Sequence, residues 1–191
     1  LAETWPVSLE SCSSYKYFPG DLKSVEYRES IYIGYRYYDA VGAEVNYPFG
    51  YGLSYTTFQY SNLNIRSIGE NRFEVLIDVE NTGHVAGKEV VQLYISKPDS
   101  VIFRALRELK GFAKVTLYPG EKKTVTFTLD QDSFRYFNIK AKAFCVEGGK
   151  YNICVGKSSR DILLEGIVDV IGDKKEELLK SDMEFLTEYI N

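Results

Sequence analysis

Scarcity sets the first limits on this 191-residue chain, which holds one His, one Met, one Trp and three Cys. With a single imidazole and no CxxC pair there is no ligand set for a zinc constellation, and no metal or cofactor site is expected. No GxSxG elbow and no Cys/His pairing points to nucleophilic catalysis. The stretch "GYGLSYT" has two glycines but neither the Lys nor the following helix of a phosphate loop. A formal net charge of −4 supplies no basic stripe to meet phosphates, so nucleic acid is not an expected partner. Apolar runs stay below 18 residues, which leaves no candidate membrane-spanning helix. The opening "LAETWPVSLE" has no basic region ahead of an apolar core, so it is not expected to be a signal peptide. It also lacks an initiator Met, which suggests a piece of a longer chain. Few cysteines and no Asn-x-Ser/Thr acceptor point to a reducing, cytoplasmic compartment.

Aromatic residues are abundant instead: 16 Tyr and 11 Phe, which suit the half-buried surface of a sheet. Strand patterns dominate from residue 57 to about 170. "NRFEVLIDVENTG" alternates, with Phe73, Val75, Ile77 and Val79 inward and Glu74, Asp78 and Glu80 outward. "AGKEVVQLYISKP" puts Val91, Leu93 and Ile95 on one face. Pro119-Gly120 joins two further strands, the second with Val125, Phe127 and Leu129 against a run of threonines. "KAFCVEGGKYNICVGKSS" suggests a hairpin around Gly148-Gly149, and "DILLEGIVDVI" a last strand. Across that hairpin Cys145 and Cys154 are expected as two small apolar residues in neighbouring strands, with a disulfide as the alternative. About seven short strands over some 110 residues indicate an antiparallel sandwich, with Phe73, Val75, Ile77, Val91, Leu93, Val125, Phe127, Leu129 and Val155 in its core.

The two ends differ from this middle. Residues 1–30 show no sustained period, and "IYIGYRYYD" over 31–39 suggests a strand with two useful faces. At the other end Leu179, Met183, Leu186 and Ile190, widened by Leu178, Phe185 and Tyr189, predict one amphipathic helix over 172–191. Asp173 with Glu176 resembles a capping box at its start.

Between the opening segment and the sandwich lies "YPFGYGLSYTTF", where Tyr47, Phe49, Tyr51 and Tyr55 interleave with Pro48, Gly50 and Gly52. Such a set could stack on sugar; the plainer expectation is a core between two packed bodies, with glycines where backbone passes close to another surface. Tyr35, Tyr37, Phe49, Tyr51 and Tyr55 are the expected seam. Asp39 and Glu44 stand beside aromatics, as carboxylates for sugar binding or acid–base work would, though turn positions are the plainer reading; with Glu29 they are the carboxylates to re-examine if the isolated chain turned over a glycoside. His84, in "NTGHVAG", is expected to be a solvated turn residue.

Six segments occurring in order carry a resemblance: "LAETWP", "VEYRESIYIGYRYYD", "NYPFGYGLSYTTFQYSNL", "NTGHVAGKEVVQLYIS", "RELKGFAKVTLYPGEKKTVTFTLD" and "GKYNICVGKSSRDILLEG". Together, over residues 1 to about 170, they closely resemble the C-terminal half of family 3 glycoside hydrolases, the β-glucosidase group. The resemblance implies residues 1–56 as the end of an α/β sandwich domain with its connector, 57–171 as a fibronectin type III-like (immunoglobulin-like) domain, and 172–191 as an added helix. It implies a retaining enzyme that cleaves terminal β-D-glucosyl residues with an Asp nucleophile on a barrel and a Glu acid/base upstream of a "LAETWP"-like segment. Those carboxyl groups stand about 5 Å apart across the sugar. Neither motif is in this sequence, so no residue here inherits a catalytic, cofactor or metal role. The implied partners are the barrel and the rest of the α/β domain, with substrate reached only through them. The barrel could lie on either side in sequence, and a homo-oligomer supported by the sandwich is allowed. An independent carbohydrate-binding module is the alternative, disfavoured because the usual platform residue occurs once, at Trp5, outside the sandwich.

Overall fold

Alternation of apolar and polar side chains builds the middle of the molecule, as a period of two must when one face of each strand is buried. The computed structural model describes residues 1–21 and 23–173. After β1 (Trp5–Pro6), a short 3-10 turn at Leu9–Ser11, helix α1 (Tyr35–Ala40) and β2 (Val45–Tyr47), the chain enters a long series of strands. These are β3 (Phe58–Gly69), β4 (Arg72–Asn81), β5 (Gly87–Ser96), β6 (Glu108–Leu117) and β7 (Lys122–Leu129). A 3-10 turn at Gln131–Phe134 leads to β8 (Arg135–Asn138), β9 (Ala143–Val146), β10 (Gly149–Gly156) and β11 (Ile162–Val170).

Two antiparallel sheets, ordered β11-β10-β5-β6 and β3-β4-β7, face each other as a sandwich. Two ribbons, β1–β2 and β8–β9, stand beside it. The core is the one the alternation predicts: Val75, Ile77, Val79, Val91, Leu93, Ile153 and Val155 are fully buried, with Phe73, Val125 and Leu129 close to it. Phe134 closes one end, edge-on to Phe73 at 5.8 Å and to Tyr151 at 5.1 Å. It is held there by a capping box, in which Asp130 accepts from the Ser133 amide and Ser133 Oγ from the Asp130 amide.

Four expectations are corrected. Residues 31–39 are not a strand: Gly34 takes φ +59°, and the chain then turns into α1. The Tyr-rich composition favoured sheet, but the helix lets Tyr38 point into protein while Tyr35 faces β5, a tertiary override of local preference. Second, "CVEGGKYNIC" is not a hairpin. β9 pairs with β8, whereas β10 pairs with β5 and β11, so Glu147 and Gly148 carry the chain from one sheet to another. Cys145 and Cys154 are therefore separate buried free thiols. Third, Phe127 is only half buried, because β7 is an edge strand; its ring lies over Gly111, where a Cβ would meet it at 3.0 Å. Fourth, Tyr55 is fully exposed and takes no part in a seam. The predicted helix over 172–191 falls, from residue 174 on, outside the described residues.

Candidate functional site

Strand β5 is buried on both faces. Its inward residues Val91, Leu93 and Ile95 belong to the sandwich core, yet Gln92 and Tyr94, pointing the other way, are buried too. What covers them is the segment that precedes the sandwich. Tyr35, on α1, stacks against Phe49 with ring centroids 4.9 Å apart and meets Tyr94 edge-on at 6.1 Å. The Tyr35 hydroxyl accepts from the Leu109 amide of β6 at 2.9 Å, so the ring is tied to its neighbouring strand by a polar as well as an apolar contact. Gln92 sits under the connector. Its amide nitrogen donates to the Gly50 carbonyl at 3.3 Å and to the Lys157 carbonyl, while its oxygen accepts from the Tyr94 hydroxyl at 2.5 Å. This is the approach that requires glycine: Gly50 has φ +86°, and a Cβ there would fall 2.1 Å from the Gln92 oxygen. Burial raises the Tyr94 phenol well above its ordinary value, so it stays a donor throughout the neutral range.

A second tie comes from the loop before β11. Arg160 donates from Nε to Asp39 Oδ1 at 2.7 Å, and from one terminal nitrogen to the carbonyls of Tyr38 at 3.1 Å and Ala43 at 2.9 Å. One guanidinium thus joins the only carboxylate of α1 to two carbonyls, one within the helix and one just beyond its C-terminal end. The Ser159 amide donates to the Phe49 carbonyl at 2.9 Å, so the same loop also holds the connector. Entry into β3 is fixed by Thr56, whose hydroxyl donates to Asn81 Oδ1 at 2.6 Å. The fully buried Asn81 in turn donates to the Val85 and Leu117 carbonyls.

Asp39 is thus consumed by Arg160, with its side chain 5% exposed, while Glu44 and His84 stand exposed and Glu29 lines a groove together with Tyr37, Ala40 and Val41. The structure brings no two of these together as an acid–base pair. Among the described residues no group of three or more His, Cys, Asp and Glu could hold a metal ion, and no helix is long and apolar enough to cross a membrane. Of the predicted seam, Tyr35 and Phe49 are its centre. Tyr51 instead stacks on Tyr47 at 4.8 Å, and Tyr37 packs edge-on to Tyr38 at 5.3 Å.

A polar cluster not foreseen from the sequence lies at the opposite end of β5 and β10. Arg104 donates to Glu108 at 2.9 Å and to the Tyr151 hydroxyl at 2.9 Å, and Tyr151 donates to the Glu147 carbonyl at 2.8 Å. The buried Glu147 carboxylate accepts from Ser100 Oγ at 2.7 Å and the Val101 amide at 2.8 Å. Burial pushes the Tyr151 phenol up to about 12, against the pull of Arg104. Burial would likewise raise Glu108, but Arg104 and Lys110 outweigh it and hold that carboxyl below its usual range. Every charge here has a partner, so the cluster orders the 97–104 loop and offers no open acceptor to a substrate. Glu147 reads in sequence as a turn residue next to Gly148-Gly149; only the move between sheets buries it.

Residues 89–159 match the family model of the fibronectin type III-like domain. The chain is 50% identical over 173 residues to the thermostable β-glucosidase B of Acetivibrio thermocellus, covering 89% of this chain and 23% of that protein. It is 42% identical to an exo-α-(1->6)-L-arabinopyranosidase of Bifidobacterium breve, covering 94% of this chain and 24% of that one. Among solved structures it superposes on the GH3 β-glucosidase of Bifidobacterium adolescentis with a TM-score of 0.88 at 41% identity, over 92% of this chain and 26% of that one. It also matches β-glucosidase 3B of Thermotoga neapolitana, solved with glucose, at a TM-score of 0.82 and 44% identity, over 88% and 24% of the two chains. The chain therefore spans about a quarter of the length of these proteins.

Proposed function

Because the chain belongs to the C-terminal portion of family 3 glycoside hydrolases, we propose that it is a non-catalytic packing module of a β-glucosidase-type enzyme. Residues 57–171 are the sandwich module, and residues 1–56 are the end of the domain on which it docks. The carrying observation is the covered second face of β5, where Gln92 and Tyr94 are buried by the connector and α1. A carbohydrate-binding module would keep such a face open for its ligand. Hydrolysis of terminal β-D-glucosyl groups then belongs to the barrel and the rest of the α/β domain, which are this chain's partners. Similar segments occur in a β-glucosidase and in an arabinopyranosidase, which supports placing sugar choice outside this part. Three free cysteines, two of them buried in separate strands, support a reducing, cytoplasmic setting.

The test is made on the enzyme that carries this segment. Phe49→Ala should lower the melting temperature and speed proteolysis between residues 40 and 56, with little change in KM for an aryl-β-glucoside in the folded fraction. An unaltered melting temperature with a raised KM would overturn the packing role in favour of sugar binding. The isolated chain should not turn over the same glycoside, because positioned acid and nucleophile groups are needed together.

A further inference from the structure

The cleft between the connector and the outer face of β5 and β6 holds about 750 Å³ and joins two kinds of surface. Part of its lining is apolar and open to water: Leu53 and Phe112 are 88% and 70% exposed, and Tyr55 is fully exposed. Grouped exposed apolar side chains of this kind mark a surface with an occupant. The rest is cationic. The register sets Lys88 beside Thr116, Val90 beside Lys114 and Gln92 beside Phe112, so these six share one face of the sheet, and none of them is an acid. Among the described residues neither Lys88 nor Lys114 has an ion-pair partner.

Two more charges line the cleft. Lys157 directs its amine to the Phe58 carbonyl at 3.5 Å. Glu89 is the one acid of the lining; it is half-buried and accepts from the Val90 amide at 2.8 Å. Burial raises its carboxyl above the ordinary range, which weakens the only negative charge present. A chain of net charge −4 thus presents a cleft with three lysines and one acid.

We propose that this cleft receives an acidic segment of the enzyme outside this chain, with a carboxylate set on Lys88 and Lys114 and an apolar side chain against Tyr55, Leu53 and Phe112. The inference rests on the packing role proposed above and adds the chemistry of the partner. Charge and shape together select it. A neutral sugar leaves the two lysines unanswered, and a small anion leaves Leu53 and both rings in water. A second copy sharing this face about a two-fold axis would set the same lysines against each other. The cleft also continues the seam, since Phe49 and Gly50 line it. Leu1 and Ala2 line it too, with the Leu1 carbonyl accepting from the Gly50 amide at 2.8 Å. In the longer relatives the chain ahead of this segment therefore joins it at the cleft. Attachment in one chain holds a segment there at up to about millimolar effective concentration.

Amine acylation with peptide mapping, on this chain and on the longer enzyme that carries it, tests the proposal. Lys88 and Lys114 should react at least about tenfold more slowly in the longer enzyme, while Lys123, on the other sheet, keeps its rate. Lys114→Glu should lower the melting temperature of the longer enzyme and leave that of this chain unchanged. That loss should shrink in about 1 M salt, where the screening length falls to about 3 Å. Equal reactivity of Lys88 and Lys114 in the two proteins would overturn the proposal. So would a Lys114→Glu enzyme as stable as its parent, or protection in this chain alone that rises with its concentration, the mark of a second copy. Phe49→Ala on the same preparations separates the two readings: if it lowers the melting temperature while both lysines stay reactive, the packing role stands and only the acidic partner falls.

Discussion

Strand β4 buries Phe73, Val75, Ile77 and Val79 in a row, whereas the described residues of 1–56 bury one hydrophobic side chain, Tyr38. The sandwich is held by apolar area, which is non-directional and large. The opening segment is held on it by directed contacts: an arginine on three oxygens, a glutamine on two carbonyls, and one aromatic stack. A sequence of 56 residues with so little interior of its own does not stand alone. It takes its shape from the β5 face it covers. The sandwich needs no such support for its core, since both sheets supply it.

The largest expected effect lies on the sandwich side. Phe134→Ala removes a fully buried ring and should cost about 3–5 kcal/mol in urea unfolding. Phe127→Ala, on the edge strand, should cost less, since its ring is only partly buried against the core. Equal losses from the two would mean that the edge of the sheet is as tightly closed as its end.

Next in size is the tie between the regions. Arg160→Ala leaves Asp39 and the Ala43 carbonyl without this donor, while the Tyr38 carbonyl keeps the Ala43 amide, and should cost about 1–3 kcal/mol of docking. Limited proteolysis should speed up between residues 35 and 56, with β4 amide exchange unchanged. If β4 loosens as much as the connector, the two regions form one cooperative unit and the contrast above fails.

Acidity should separate the regions further. The folded value of Glu108 is depressed: burial would raise it, but Arg104 and Lys110 outweigh that. Its stabilisation is therefore complete above the unfolded carboxyl value of about 4.3 and is lost as pH falls through the lower folded value. Glu89, beside the connector, shows the opposite sign, since burial raises it; its ionisation destabilises the fold as pH rises past the unfolded value. Melting temperatures from pH 3 to pH 7 should fall at the acid end, and Glu108→Gln should flatten that fall. Glu89→Gln should raise the melting temperature near pH 7.

The strands of the sandwich were readable because each shows one buried face, and a period of two reports one face well. The same period conceals a second. "VVQLYIS" announces Val91, Leu93 and Ile95, but Gln92 and Tyr94 look like solvent-facing partners until residues 35–50 are laid over them. Tyr35, Tyr37 and Ile33 alternate as a strand would, and Gly34 with φ +59° breaks the pattern by a backbone choice that composition does not display. Glu147 is concealed for a similar reason: its burial follows from a crossing between sheets, a non-local event that its Gly-rich surroundings make look like a turn. Phe49 and Gly50 were foreseeable in role, because aromatic density beside glycine has few uses other than close packing.

Tyr55 gives the smallest effect and the sharpest test of where the interface ends. It shares the aromatic density of Tyr51 and Phe49, yet its side chain is fully exposed beside Leu53, also exposed, at the mouth of a cleft shared with Phe112. In this chain Tyr55→Ala should change stability by no more than about 0.5 kcal/mol, as surface substitutions do. Phe49→Ala, six residues earlier and stacked on Tyr35 over the covered face of β5, should cost several times that. In the longer enzyme the two positions should converge if the missing domains close over the connector: Tyr55→Ala should then lower the melting temperature, because a ring covered in the assembly loses apolar contact when truncated. KM should be unmoved by either change. A raised KM from Tyr55→Ala alone, with stability intact in both chains, would make this ring part of a sugar platform and move the limit of the packing surface back to Tyr51.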